Sequence, residues 1–324
     1  MDRIQAAACS IDPVFLNTPQ FQSQGLSDEL GMQLVLKVET VNPIRSFKGR
    51  GADFFAAQLP LWGSPRLVCA SAGNFGQGLA YAAHKRGFTL TVFAAETANP
   101  LKLQRIRELG AEVRLFGEDF DAAKEQARIF AEKTVACFVE DGREPAIAEG
   151  AGTIALELCR WAHPFDFVLV PLGNGALLAG IGRWMKAHSP ATRIVGVCAA
   201  GAPAMALSWR KKKMQSTSSA VTIADGIAVR VPVPEALVEL EGVVDEILLV
   251  DDEALVLAMQ MLFRHHGLLV EPAGAAGLAA ALTFADKFSG ARVVTPLCGG
   301  NMTSEQIKRW FFEEQPDEQP TEQE

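Results

Sequence analysis

Lys48 is the side chain whose surroundings most invite chemistry. It lies in Asn42-Pro43-Ile44-Arg45-Ser46-Phe47-Lys48-Gly49-Arg50-Gly51-Ala52, after a strand-like run and at the start of a helix-like one. A lysine by itself is ordinarily a solvated surface charge. One that is desolvated, or set beside positive charge, has a lowered pKa and becomes a nucleophile or base near neutrality. Three Gly- and Asn-rich turns accompany it: Ser71-Ala72-Gly73-Asn74, Gly173-Asn174-Gly175-Ala176 and Cys298-Gly299-Gly300-Asn301.

Each turn stands where a strand-like run ends. Ligands of open α/β sheets bind there, and the N–H groups and dipole of a following helix favour an anion. The Gly173 turn suits a phosphate, because small residues let the backbone approach; it reads equally as a tight strand–helix connection. The Ser71 turn suits a carboxylate, or is an ordinary helix start capped by Ser71 or Asn74. Cys298 before two glycines is, taken alone, packing. Neither the P-loop nor the GxGxxG spacing is present, and there is no GxSxG elbow. His163, His188, His265 and His266 form no ligand pair, so no metal is expected. An amine with several anion cradles fits a phosphorylated aldehyde cofactor held by a lysine.

The elements that must position these groups alternate. Strand-like runs fall at Leu34–Val38, Arg66–Ala70, Leu90–Ala94, Glu112–Phe116, Phe167–Val170, Arg193–Val197, Glu246–Val250, Leu268–Val270 and Val293–Leu297. Between many of them lie helix-like stretches, such as the one that Asn99 caps, with Pro100 at its first position and Gly110 past its end. This alternation predicts an α/β fold with mostly parallel sheets. Arg210-Lys211-Lys212-Lys213 reads as a solvated loop, and the acidic, Pro-containing end as disorder.

Composition narrows the partners. The chain has 324 residues, 49% of them hydrophobic, a net charge of -8 and a pI near 5.3, which argues against nucleic acid and anionic membranes. No apolar run escapes interruption by charge or glycine for long enough to span a bilayer. The start lacks a secretion signal, and the six cysteines form no CxxC pair and read as mostly buried thiols. A soluble, cytoplasmic protein is expected.

The blocks Ser46–Ala52, Ser71–Gly78, Gly173–Ala176, Thr222–Val229, Glu271–Ala275 and Cys298–Asn301, in this order, resemble the fold-type II pyridoxal-phosphate enzymes. The similarity is to their serine/threonine dehydratase group, which includes serine racemase. It implies two three-layer α/β domains of the tryptophan synthase β type, with pyridoxal 5'-phosphate in the cleft between them. Residues 1–65 and 141–312 would form the large domain, 66–140 a small mobile one, and 313–324 a disordered tail. Lys48 would bind the cofactor covalently, with Phe47 against the ring and Asn74 on its 3-hydroxyl. Gly173, Asn174, Gly175, Ala176 and Leu177 would hold the phosphate, Glu271 and Gly226 would line the other edge, and Cys298 would face the ring nitrogen. Ser71, Ala72, Gly73, Asn74 and Phe75 would take the substrate carboxylate, with Ser71 also catalytic.

The activity that this resemblance implies is elimination of water from L-threonine or L-serine by a homodimer. Departures are Asn174 and Ala176 in place of glycines, Phe75 in place of His, and Ala72 where serine racemases carry the second serine. Racemisation is therefore expected to be minor. The residues after Cys298 leave no room for a regulatory domain, so no isoleucine feedback is expected. Threonine synthase or another β-elimination is the alternative, with Arg45 either on a second substrate anion or simply at the surface. A non-catalytic binding protein of the same fold is the alternative of another class.

Overall fold

The computed structural model describes residues 2–60, 64–98 and 100–313. Asn99 and residues 314–324, for which a cap and a disordered tail are expected, lie outside the described residues. Among the described residues, ten strands form two sheets. β1 (Gln20–Gln22), β2 (Gln33–Val38), β7 (Phe167–Pro171), β8 (Arg193–Ala199), β9 (Glu246–Val250) and β10 (Arg292–Leu297) make the larger, in the order β1-β2-β10-β7-β8-β9. β3 (Arg66–Ala70), β4 (Thr89–Ala94), β5 (Glu112–Leu115) and β6 (Cys137–Phe138) make the smaller, ordered β5-β4-β3-β6. All pairings are parallel except β1 with β2. The expected α/β fold with two mostly parallel sheets is therefore present.

Parallel strands need apolar residues on both faces, and β2, β7, β8 and β10 supply them as near-continuous buried runs. β1 and β6 carry no such signal. β1 is Gln-Phe-Gln at an edge, and β6 has two residues, so only their partners define them.

Three readings of the sequence are corrected here. Leu268–Val270 is not a strand. It links helix Asp252–His266, closed by Gly267 at φ 64°, to helix Pro272–Thr283, whose first residue is Pro272. Of these three linking residues only Val270 is buried; Leu268 is half-buried and Leu269 exposed, so no sheet covers them. Arg210 and Lys211 end helix Ala204–Lys211 instead of forming a loop, and the Arg210 guanidinium donates to the Ile247 carbonyl (2.9 Å). Cations suit the negative end of a helix. The thiols are also less buried than expected, since Cys9, Cys137 and Cys159 are exposed.

The helices that frame Lys48 pack backbone to backbone. Helix Lys48–Ala57 crosses helix Pro145–Leu158 at Gly51 and Gly150, where a Cβ on Gly150 would meet the Arg50 carbonyl at 2.6 Å. Helix Asn74–Arg86 approaches from the other side, with Gly78 beneath the Lys48 carbonyl.

Beneath this crossing lies a closed set of charges. Arg50 and Lys37 are fully buried. The Arg50 guanidinium donates to Glu39 (2.8 and 2.9 Å), Glu157 (2.7 and 3.1 Å), Thr153 (2.9 Å) and Thr18 (3.2 Å). Lys37 donates to Glu157 (2.5 Å) and to the Thr18 carbonyl (2.8 Å). Burial alone would raise the Glu157 pKa, but the hydrogen bonds and charge of Arg50, then Lys37, hold it below the usual carboxylate value.

Glu157→Ala leaves two cations without a main partner and is expected to cost about 3–5 kcal/mol in urea unfolding. Because the folded pKa is depressed, Glu157 contributes its stability above the ordinary carboxylate range and loses it as pH falls through the folded value. The loss on Glu157→Ala should shrink in acid; a deficit that is constant with pH would contradict the assignment.

Candidate active site

The strands deliver their C-terminal ends to one cavity of about 650 Å³ between the sheets. It is lined by Phe47, Lys48, Ser71 to Phe75, Gly173 to Leu177, Gly226, Glu271 and Cys298, so every site residue expected from sequence reaches the same space. Arg45 does not: it is exposed and absent from the lining, which favours the surface reading.

Lys48 is the first residue of its helix, and its segment is anchored from below. The Phe47 N–H and the Ser46 hydroxyl both donate to the Cys298 carbonyl (3.1 Å each). The Lys48 ammonium stands 4.7 Å from the centre of the Phe47 ring and 5.9 Å from that of Phe75. Its ion-pair partner is Asp141 (Nζ to Oδ2, 2.7 Å), a residue that the sequence reading passed over. The available signal was Glu140-Asp141-Gly142, two acids and a glycine just after β6. Gly142 has φ 88° and packs directly on Asn174, so the loop carrying Asp141 rests against the Gly173 turn.

Helix Ala176–His188 begins at Gly175, at φ 90°, with no side chain capping it. Its first N–H groups have no partner within the helix, and they open onto the cavity. Opposite, a Cβ on Gly173 would come within 2.7 Å of the Gly226 carbonyl, so the wall here is bare backbone. This is a cradle for an anionic group. The Ser71 turn is built differently. The Ser71 hydroxyl accepts from the N–H groups of Gly73 (3.3 Å) and Gly76 (3.2 Å), so it caps helix Asn74–Arg86 while facing the cavity.

Asn74 is not a local cap. Its amide donates to Glu271 (2.6 Å) and accepts from Asn301 (2.8 Å). The Asn301 N–H donates to Glu271 (2.9 Å), and Arg105 reaches over from the smaller-sheet side to the Asn301 side-chain oxygen (2.5 Å). Neither Asn301 nor Arg105 was given a role from sequence; their contacts join segments 196 residues apart. One Asn74 amide hydrogen remains for a ligand.

Burial, with the charge of Glu271 second, pushes the Cys298 thiol far above its ordinary value, so it is neutral. Burial first, then the charge of Asp225, raises Glu271 to about 7. Among the described residues, no group of three or more His, Cys, Asp or Glu side chains could hold a metal ion.

An amine at a helix start, an uncapped cradle and a neutral buried thiol define a cleft for a phosphorylated aldehyde, and the residues fit pyridoxal phosphate. The family model described as "Pyridoxal-phosphate dependent enzyme" matches residues 11–299, and the chain belongs to that family. An L-threonine ammonia-lyase from Geobacter sulfurreducens is 37% identical over 88% of this chain and 71% of its own length. The chain spans about half the length of some other curated threonine dehydratases that it matches. Among solved structures, processed threonine deaminase isoform 2 from Solanum lycopersicum has a TM-score of 0.89 at 28% identity, over 95% of this chain and 86% of that one. Maize serine racemase gives 0.89 and 28% over 95% of each. Among the described residues no helix is long and apolar enough to cross a membrane.

Between the carboxylate value in the unfolded chain, about 4.3, and the raised value of about 7, folding takes up a proton at Glu271. Stability attributable to this group therefore falls as pH rises through that interval. Glu271→Gln removes the titration, so in urea melts the variant should gain on the native chain between about pH 5 and about pH 8. An equal difference at both would refute the raised value.

Proposed function

We propose that the chain is a pyridoxal-phosphate-dependent threonine/serine ammonia-lyase, releasing a 2-oxo acid and ammonia from a β-hydroxy amino acid. The observation that carries this reading is the Lys48 amine in a cavity that also holds the uncapped start of helix Ala176–His188 and a neutral Cys298. Pyridoxal phosphate, when bound, supplies an electron sink that acidifies the Cα–H bond of the amino acid.

The chain's own residues do the rest. Gly173, Asn174, Gly175, Ala176 and Leu177 hold the phosphate through backbone N–H groups, Phe47 supports the ring and Asn74 orients it, with Gly226 and Glu271 along the far edge. Cys298 offers the ring nitrogen no counter-charge, which favours prompt loss of the β-substituent. The Ser71 to Phe75 turn takes the substrate carboxylate on the N-terminus of its helix. The Lys48 amine removes the Cα proton, and the β-hydroxyl, taking up that proton, departs as water. The unsaturated amine then hydrolyses in water to the 2-oxo acid and ammonia. Ala72 places no acid on the opposite substrate face, so racemisation is minor.

In this reading, residues 66–140 form a small domain that closes on a large one made of 1–65 and 141–312. The enzyme works as a cytoplasmic homodimer, an assembly that size-exclusion chromatography with light scattering checks.

The deciding experiment scores 2-oxo acid release from L-threonine, L-serine and their D-forms. The L-forms should be turned over and the D-forms left intact. Lys48→Ala should lower turnover about 10³-fold or more. The visible absorbance of the cofactor should survive dialysis in the native chain and be lost in Lys48→Ala, which a cofactor-free binding protein would not show. Activity on phosphohomoserine with none on threonine would replace this reading with threonine synthase.

A further inference from the structure

The cavity is rich in charge, yet its cations are already matched. Lys102 pairs with Asp225, Lys124 with Glu140, and Arg230 with Asp119 (3.3 Å) and Asp121. Lys48 pairs with Asp141. Among the described lining residues, no lysine or arginine is left over to receive a second anionic group on a substrate. Asp141 has the opposite character. Its Oδ2 accepts from Lys48 (2.7 Å), while its Oδ1 is buried with no hydrogen-bond partner among the described residues. Because Oδ1 is shut off from the cavity, a ligand there meets the Oδ2 side of the carboxylate, whose negative charge it feels beside Lys48.

Asp141 cannot easily turn away from this position. Its neighbour Gly142, at φ 88°, is wedged against Asn174, and the preceding residue, Glu140, is tied to Lys124 and Arg128. Its carboxylate therefore stays beside the amine that, in the reading above, works on Cα. A group on the adjacent substrate carbon falls within its reach.

We propose that Asp141 is the specificity-determining residue of this site: it accepts a hydrogen bond from a neutral hydroxyl or a cationic donor at the substrate's β-position and repels a β-carboxylate or phosphate. The substrate class is thus β-hydroxy or β-amino amino acids without a second acid group. This deepens the ammonia-lyase reading and rests on its placement of the substrate. Like charges juxtaposed in a partly desolvated site disfavour binding strongly, whereas a donor can share the lone pairs left on Oδ2.

The test uses binding as well as turnover. L-Asparagine and L-aspartate are nearly isosteric, and neither carries a leaving group, so calorimetry on the holoenzyme measures selection without reaction. The native protein should bind asparagine about tenfold more tightly than aspartate or better, a ratio equal to about 1.4 kcal/mol. Asp141→Asn should bring that ratio to within about threefold, and Asp141→Glu should keep most of it. In turnover, Asp141→Asn should lower kcat/KM for L-threonine about tenfold relative to β-chloro-L-alanine, whose leaving group is no donor. Thermal melts of both variants separate this result from misfolding.

Equal binding of the two probes by the native protein overturns the proposal, as does a ratio that Asp141→Asn leaves unchanged in a folded variant. If the binding ratio behaves as stated and no hydroxy amino acid is turned over, the charge selection stands and the ammonia-lyase reading falls.

Discussion

The buried guanidinium of Arg50 is the contact on which the site rests. It sits two residues beyond Lys48 in the same helix, and its donors are divided among Glu39 at the end of β2, Glu157 on helix Pro145–Leu158, and the hydroxyls of Thr18 and Thr153. A planar fork with fixed donor directions sets both the rotation and the height of the helix that carries it. Lys37 shares Glu157 and so ties the same network to β2, the strand beside β10. Such a network is weak evidence of extra stability, because desolvating the charges costs nearly what pairing them returns. Its use here is geometric: it holds the start of helix Lys48–Ala57, and with it the Lys48 amine, at the edge of the cavity.

Close backbone approach completes what the guanidinium begins. Gly51, Gly78 and Gly150 let three helices meet at close backbone approach. The Ser46 and Phe47 bonds to the Cys298 carbonyl then set the amine and the thiol in one frame. Asn74, Glu271 and Asn301 form a second small network within hydrogen-bond distance of the same cavity, and Arg105 brings a group from the smaller-sheet side into it.

The electrostatics follow from burial. Water exclusion keeps Cys298 a thiol and raises Glu271 to about 7, while the lysines and the arginine of the cavity lie in ion pairs with carboxylates. Among the described lining residues every lysine and arginine is paired, so none stands free for a second anion.

Much of this was legible in the chain. Continuous apolar runs of four to seven residues identify parallel strands because both faces of such strands are covered, and Gly-rich turns at their ends identify anion cradles because only small residues let the backbone approach. The order of the motifs carried the family and the residues from Phe47 to Cys298. Legibility failed where the cause is non-local. β1 and β6 exist through their partners, and Leu268–Val270 is a link between two helices in which only Val270 is buried. Arg50, Asp141, Arg105 and Asn301 look like ordinary polar residues until the chain brings together positions from tens to nearly two hundred residues apart. The sequence by itself determined the fold class and the chemistry available at Lys48. Only the tertiary structure decided which charges face one another, since ion pairing depends on distances in space that no local pattern records.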